Sequence, residues 1–233
     1  MTLDFILRVG NALVYLILAV KLYQAYTESR ELLVKWFAIF CFIMCLFQLS
    51  IGLPAYICIW TGCTMLEEII KYGFVVGHAL LATGGAFLAL IPAHFLWPKF
   101  KKLHFTIIIA LGLIATVGNI LGAEGKYIQN TVIAIFPPIN NILMPIFSFL
   151  GIGLAGFFLI AHAFKRDVNK KLRIRSAIMG GGITFANLMG PLHQIIKTPI
   201  YWTLLDVGTL LGFVITAFAV FFIKPEILRE FYK

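Results

Sequence analysis

The stretch WFAIFCFIMCLFQLSIGLPAYICIW, residues 36–60, contains no charged side chain, and its reading decides the class of fold. A helix needs about 20 mostly apolar residues to cross the hydrocarbon core of a bilayer. This stretch exceeds that length, and a water-soluble domain would have to bury it on every side.

Working outward, comparable stretches occur at 5–24, 72–97, 103–122, 139–164, 176–196 and 202–223. None is a ten-residue alternating segment of the kind that builds membrane barrels, so all seven are predicted as helices. Composition agrees: 61% of the residues are hydrophobic and 12% charged, against about 25% charged in soluble domains. The expected fold is an all-α, polytopic bundle of seven membrane-spanning helices forming one domain over residues 1–233. The first stretch reads as a retained helix rather than a secretory signal, because it carries Arg8 and has no small-residue cleavage site before Lys21. The fourth, ending at Gly118, Asn119 and Gly122, is the shortest. The segment from Ala123 to Asn141 is expected to be an irregular outer connection, broken by Pro137 and Pro138.

Orientation follows from the cations, since short basic loops stay on the cytoplasmic side. Lys21, Arg30 and Lys35 follow the first stretch, and Lys99, Lys101 and Lys102 the third. Lys165, Arg166, Lys170, Lys171, Arg173 and Arg175 follow the fifth, and Lys224, Arg229 and Lys233 close the chain. The opposite side has Arg8, Lys71, Lys126 and Lys197. The N-terminus is therefore expected outside and the C-terminus inside, in a cell membrane. The net charge of +9 then reads as attraction of the inner face to anionic lipid, with no nucleic acid needed.

Residues 1–102 and 139–233 share landmarks in the same order, which predicts two parallel three-helix repeats joined by a fourth helix at 103–122. Gly52-Leu53-Pro54 corresponds to Gly190-Pro191-Leu192, Gly73-x-x-x-Gly77 to Gly208-x-x-x-Gly212, and Pro92 to Pro225. Gly151, Gly153 and Gly156 and the run Gly180-Gly181-Gly182 are expected to let helices approach closely.

Ionisable and amide side chains inside spans are costly and mark candidate sites. His78, His193 and Asp206 are expected at similar depth towards the outer face, with Asn187 nearby on the sixth span. They form a candidate ligand-binding site in which Asp206 accepts from a histidine or holds a cation. The bland alternative places His193 and Gln194 at headgroup level and pairs Asp206 with Lys197. Histidines also raise haem: His78 with His193, and His94 with His162, would stack as two axial pairs. No Cys-x-x-Cys-His motif or zinc spacing accompanies them. Glu67 and Glu68 with Phe74-x-x-x-His78 are similar in outline to motifs of intramembrane CAAX-type proteases. There the motifs sit on separate helices, whereas here they adjoin and read as the acidic start of a helix. Cys58 and Cys63 are either a disulfide or two thiols. Trp36, Trp60, Trp97, Tyr201 and Trp202 read as interfacial anchors.

Three functions follow in order: a sensor or receptor-like module relaying to a separate cytoplasmic partner, a small-solute transporter built from the two repeats, and a haem-binding subunit of a redox complex. The last stretch lacks the lysine that a retinal Schiff base needs. Catalysis is the least supported class, since no nucleophile, base and orienting group can be placed together. No cofactor is identified.

Overall fold

The computed structural model describes residues 2–165, 170–196 and 198–221. Among them are the helices α1 (Leu3–Ser29), α2 (Leu32–Thr61), α3 (Leu66–Leu96) and α4 (Lys101–Gly122). A hairpin of β1 (Glu124–Ile128) and β2 (Thr131–Ile135) precedes α5 (Asn140–Ala163), α6 (Lys170–Ile195) and α7 (Pro199–Phe221). Six of the helices, all but α6, are long and apolar enough to cross a membrane. The exception has 26 residues but opens with Lys170, Lys171, Arg173 and Arg175, which lower its mean hydropathy. Arg166, Lys197, Lys224, Pro225, Arg229 and Lys233 lie outside the described residues.

Local chemistry sets the boundaries. The Thr2 side chain caps α1 by accepting from the Phe5 N–H. Arg30, at φ 58°, and Gly62, at φ 67°, end α1 and α2 in the left-handed conformation. Cys58 and Cys63 form a disulfide across the second of these ends, which decides between the two readings of that pair. Glu67 and Glu68 stand in the first turn of α3, where negative charge suits the helix dipole. Pro98 follows the end of that helix and cannot continue it.

Helices α1, α2, α3, α5, α6 and α7 surround the core, with α7 closing against α1. Around its middle lie the buried rings of Tyr15, Phe40 and Phe213. Helix α4 lies outside this group against α3 and α5, and its apolar window is only 22% buried, against 44–56% for the other five. Lipid gives no hydrophobic reward for helix association, so contact depends on close approach of small residues. The glycine run divides accordingly. Gly180 faces the Gly156 carbonyl of α5, Gly182 faces the Gly212 carbonyl of α7, and Gly181 meets nothing. In the other half of the chain, Gly73 and Gly77 abut Ser50 and Ile51 of α2, just as Gly208 and Gly212 abut Met189 and Ala186 of α6.

The hairpin departs from the expected irregular connection. Its strands pair antiparallel, with Ile128 opposite Thr131 across the two-residue turn Gln129-Asn130 at φ 49° and 63°. Positive φ at both turn positions matches strand twist. Val132, Ile133 and Ala134 are buried, so β2 is seated in the mouth of the bundle. Gly125 of β1 lies where any side chain would strike the first turns of α3, at the Lys71 nitrogen and Ile70. This end also carries the start of α1, α3, α5 and α7. The opposite end gathers the described basic residues of the α1–α2, α3–α4 and α5–α6 connections.

Candidate functional site

Beneath the hairpin lies a buried charge cluster. Asp4 and Arg8 stand one turn apart on α1, and the Arg8 Nε donates to Asp4 Oδ2 at 3.1 Å. The same oxygen accepts from the Tyr56 hydroxyl at 2.6 Å and from the Val132 N–H at 3.4 Å. Arg8 Nη2 donates to the Val132 carbonyl at 3.0 Å and lies 3.6 Å from Asp206 Oδ2 on α7. His193 Nε2 of α6 lies 3.4 Å from the other Asp206 oxygen. Side chains of Asp4, Arg8 and Asp206 are 1%, 5% and 8% exposed, so these charges meet almost no water. Two carboxylates thus face one guanidinium, with the His193 ring against the second of them. Outside the spans, burial first and then the Asp4 carboxylate push the Tyr127 phenol above its ordinary value.

The charge count places Arg8 with the cations of the outer side, and the structure shows that it is no surface charge but a buried ion-pair partner. Asp4 and Tyr56 were not anticipated at all. The i, i+4 spacing of Asp4 and Arg8 was the available signal. Trp202 needs the same correction, because it is 1% exposed and stacks edge-on against His193 at 5.0 Å instead of anchoring at an interface. Trp60, Trp97 and Tyr201 are exposed.

A cavity of about 100 Å³ lies on the inner side of this cluster, and His78, Asn187, His193 and Asp206 all line it, with Arg8 and Gln48. It exceeds the roughly 10–15 Å³ that one water requires and falls below the ~300 Å³ of drug-sized sites. His193 Nδ1 contacts the Met189 carbonyl at 3.0 Å, which turns Nε2 towards Asp206. Pro191 lacks the N–H that would bond the Asn187 carbonyl four residues earlier, loosening α6 beside the site. Asn187 Oδ1 accepts from Ser148 Oγ at 2.7 Å, and Ser148 directly precedes a π turn, Phe149–Gly153, in α5. Such turns re-aim side chains and recur at functional sites.

His78 points a different way from His193. Its Nδ1 is hydrogen-bonded to Asn119 of α4, which in turn accepts from Asn140 of α5. Asn140 also donates to the Ala115 carbonyl at 2.9 Å, tying the peripheral helix to the bundle. The ring of His78 rests on Phe136 at 4.9 Å.

An axial haem pair needs two imidazole nitrogens aimed at one iron. The His193 Nε2 faces Asp206 instead. His94 packs on Trp36 and Phe95, and His162 on Phe158 and Ser176. These residues do not fit a haem as arranged. Among the described residues, no group of three or more His, Cys, Asp or Glu side chains is set to hold a metal ion.

Fold and site together define a helical bundle of membrane-crossing length organised around a buried ion-pair cluster. No protein-family model and no curated protein matches the chain.

Proposed function

We propose that the chain is a seven-helix membrane sensor with the hairpin end outside the cell and the basic end in the cytoplasm. In this reading it binds a small cationic or hydrogen-bond-donating ligand at Asp206 and His193. One observation carries the ligand class: Asp206 Oδ2, on the cavity wall, is buried without a hydrogen-bond partner. Its charge is met at 3.6 Å by the Arg8 guanidinium without a hydrogen bond, so a donor arriving from the cavity adds the direct bond that this oxygen lacks. Helix α6 carries His193 and Asn187 near one end and a cluster of cations at the other. It is thus placed to pass a tilt or rotation to a separate cytoplasmic partner. Expected outcome: a small primary ammonium compound raises the thermal midpoint of the purified protein. Asp206→Asn and His193→Ala each reduce that gain by at least about tenfold in apparent affinity. Equal stabilisation of both folded variants would remove the site.

Several observations support the topology. The α6 segment Ser176 to Ile195 has no Asp, Glu, Lys or Arg and is long enough to complete a seventh crossing. The disulfide lies at the hairpin end, as expected of an oxidising exterior. With Arg8 buried in ion pairs, charge segregation between the ends is sharper than the sequence count implied, and the basic end suits anionic lipid. The similar seating of the two Gly-x-x-x-Gly faces and the peripheral place of α4 favour the parallel repeat. A membrane-impermeant maleimide should label Glu124→Cys and Thr198→Cys on intact cells, and Lys99→Cys and Lys170→Cys only after permeabilisation. Labelling of all four from one side would refute seven crossings.

A transporter is the second reading, and one observation favours it. A larger cavity at the basic end approaches the first, Ile183 lining one and Ala186 the other, one turn apart on α6. Alternating access would need that partition to open. Flux of a labelled ammonium compound into proteoliposomes distinguishes this reading from a sensor, which binds without transport.

A further inference from the structure

The cavity at the basic end has a chemistry of its own. It measures about 340 Å³, within the range of small-molecule sites, and Leu22, Val34, Phe37, Leu88, Ala155 and Ile183 form its walls. Walls of this kind hold no water favourably, since a buried water needs two to four polar partners. The polar groups gather towards the mouth, and they are ordered by depth. Glu28 lies in the last turn of α1 and Glu31 directly precedes α2. Lys21 stands two turns deeper on α1, and Arg175 is likewise more than a turn inside α6. The Arg175 Nη1 is buried and has no hydrogen-bond partner. A guanidinium stays protonated under all ordinary conditions and offers donors in a fork that matches carboxylate and phosphate. A buried, unmatched member of that fork above an apolar shaft describes half of a recognition site.

We infer that this cavity binds a single-chain lipophilic anion, with its chain among the apolar walls and its head group on Arg175 and Lys21. From Arg175 to Ile183 the shaft extends about 12 Å at roughly 1.5 Å per residue, the reach of a medium-length acyl chain. A cationic amphiphile is disfavoured because its head would stop at Arg175, below the carboxylates of the rim. The site is independent of the Asp206 cluster and stands whether or not that cluster binds a ligand.

The test uses the full-length protein in detergent micelles and the fluorescence of 11-(dansylamino)undecanoic acid. Saturable binding is expected, weakened at least about tenfold by Arg175→Gln and by replacing the probe with its methyl ester, as loss of a charge-assisted hydrogen bond requires. Displacement of the probe by oleate or by lysophosphatidylglycerol tells whether a free carboxylate or a lipid phosphate is the better head group. Absence of saturable binding, or an ester that binds as well as the acid, overturns the inference. The ester comparison decides by itself should Arg175→Gln fail to fold.

Discussion

Arg8→Leu should lower the stability of the bundle by about 3–5 kcal/mol, the range measured when one member of a buried ion pair is removed. In the wild-type protein the Arg8 guanidinium donates to Asp4, lies 3.6 Å from Asp206 and donates to the hairpin carbonyl of Val132. Without it, two carboxylates share a nearly dry interior, and the Val132 oxygen loses its donor. At the scaling of a domain of this size, the loss corresponds to roughly 6–20 °C in thermal midpoint. Unfolding followed by tryptophan fluorescence in detergent would show it, since Trp202 is buried near the cluster.

A second substitution identifies the cause. Buried ion pairs are often no more stabilising than apolar groups of similar volume, whereas a single unpaired charge is strongly destabilising. Arg8→Leu combined with Asp4→Leu should therefore recover part of the loss, because it removes one of the two stranded carboxylates. An additive or worse double variant would mean that Arg8 acts through the shape of its aliphatic stem, against which Gly52 is packed. Either way the hairpin should loosen, since its two contacts at Val132 depend on Arg8 and Asp4.

The parts of this fold that sequence exposes are those imposed by the bilayer. Hydrocarbon thickness sets a minimum apolar length, so the six helices that meet it were legible in the sequence, including the short fourth one that α4 realises at 22 residues. Polar residues stood out against that background, and His78, Asn187, His193 and Asp206 do line one cavity. Their partners were less visible. Arg8 lies near the start of its stretch, where a charge looks interfacial, and its contact with Asp206 joins α1 to α7. Asn119 was visible only as the ragged end of a span, although it holds His78. The hairpin escaped because Thr131–Ile135 is too short to register as a span, despite its β-branched residues and the preceding Asn130. The π turn has no residue signature of its own.

The glycine run supplies the sharpest contrast available by single substitution. Gly182→Leu should prevent α6 and α7 from closing. A Cβ there would sit 2.6 Å from the Gly212 carbonyl oxygen and 3.0 Å from the Thr216 nitrogen, both on a backbone that cannot give way without parting the helices. Gly181→Leu adds the same side chain one residue away, where a Cβ meets nothing within 4 Å. It should be tolerated or slightly stabilising, since glycine is roughly 0.5–1 kcal/mol worse than alanine within a helix. Because α6 brings His193 to Asp206 across this same contact, Gly182→Leu should also abolish ammonium-induced stabilisation in whatever fraction remains folded. Monodispersity by size exclusion and thermal midpoint measure the pair. Equal behaviour of the two variants would mean that the helices are not held by backbone proximity at Gly182, and the geometry assigned to the Asp206 site would lose its support.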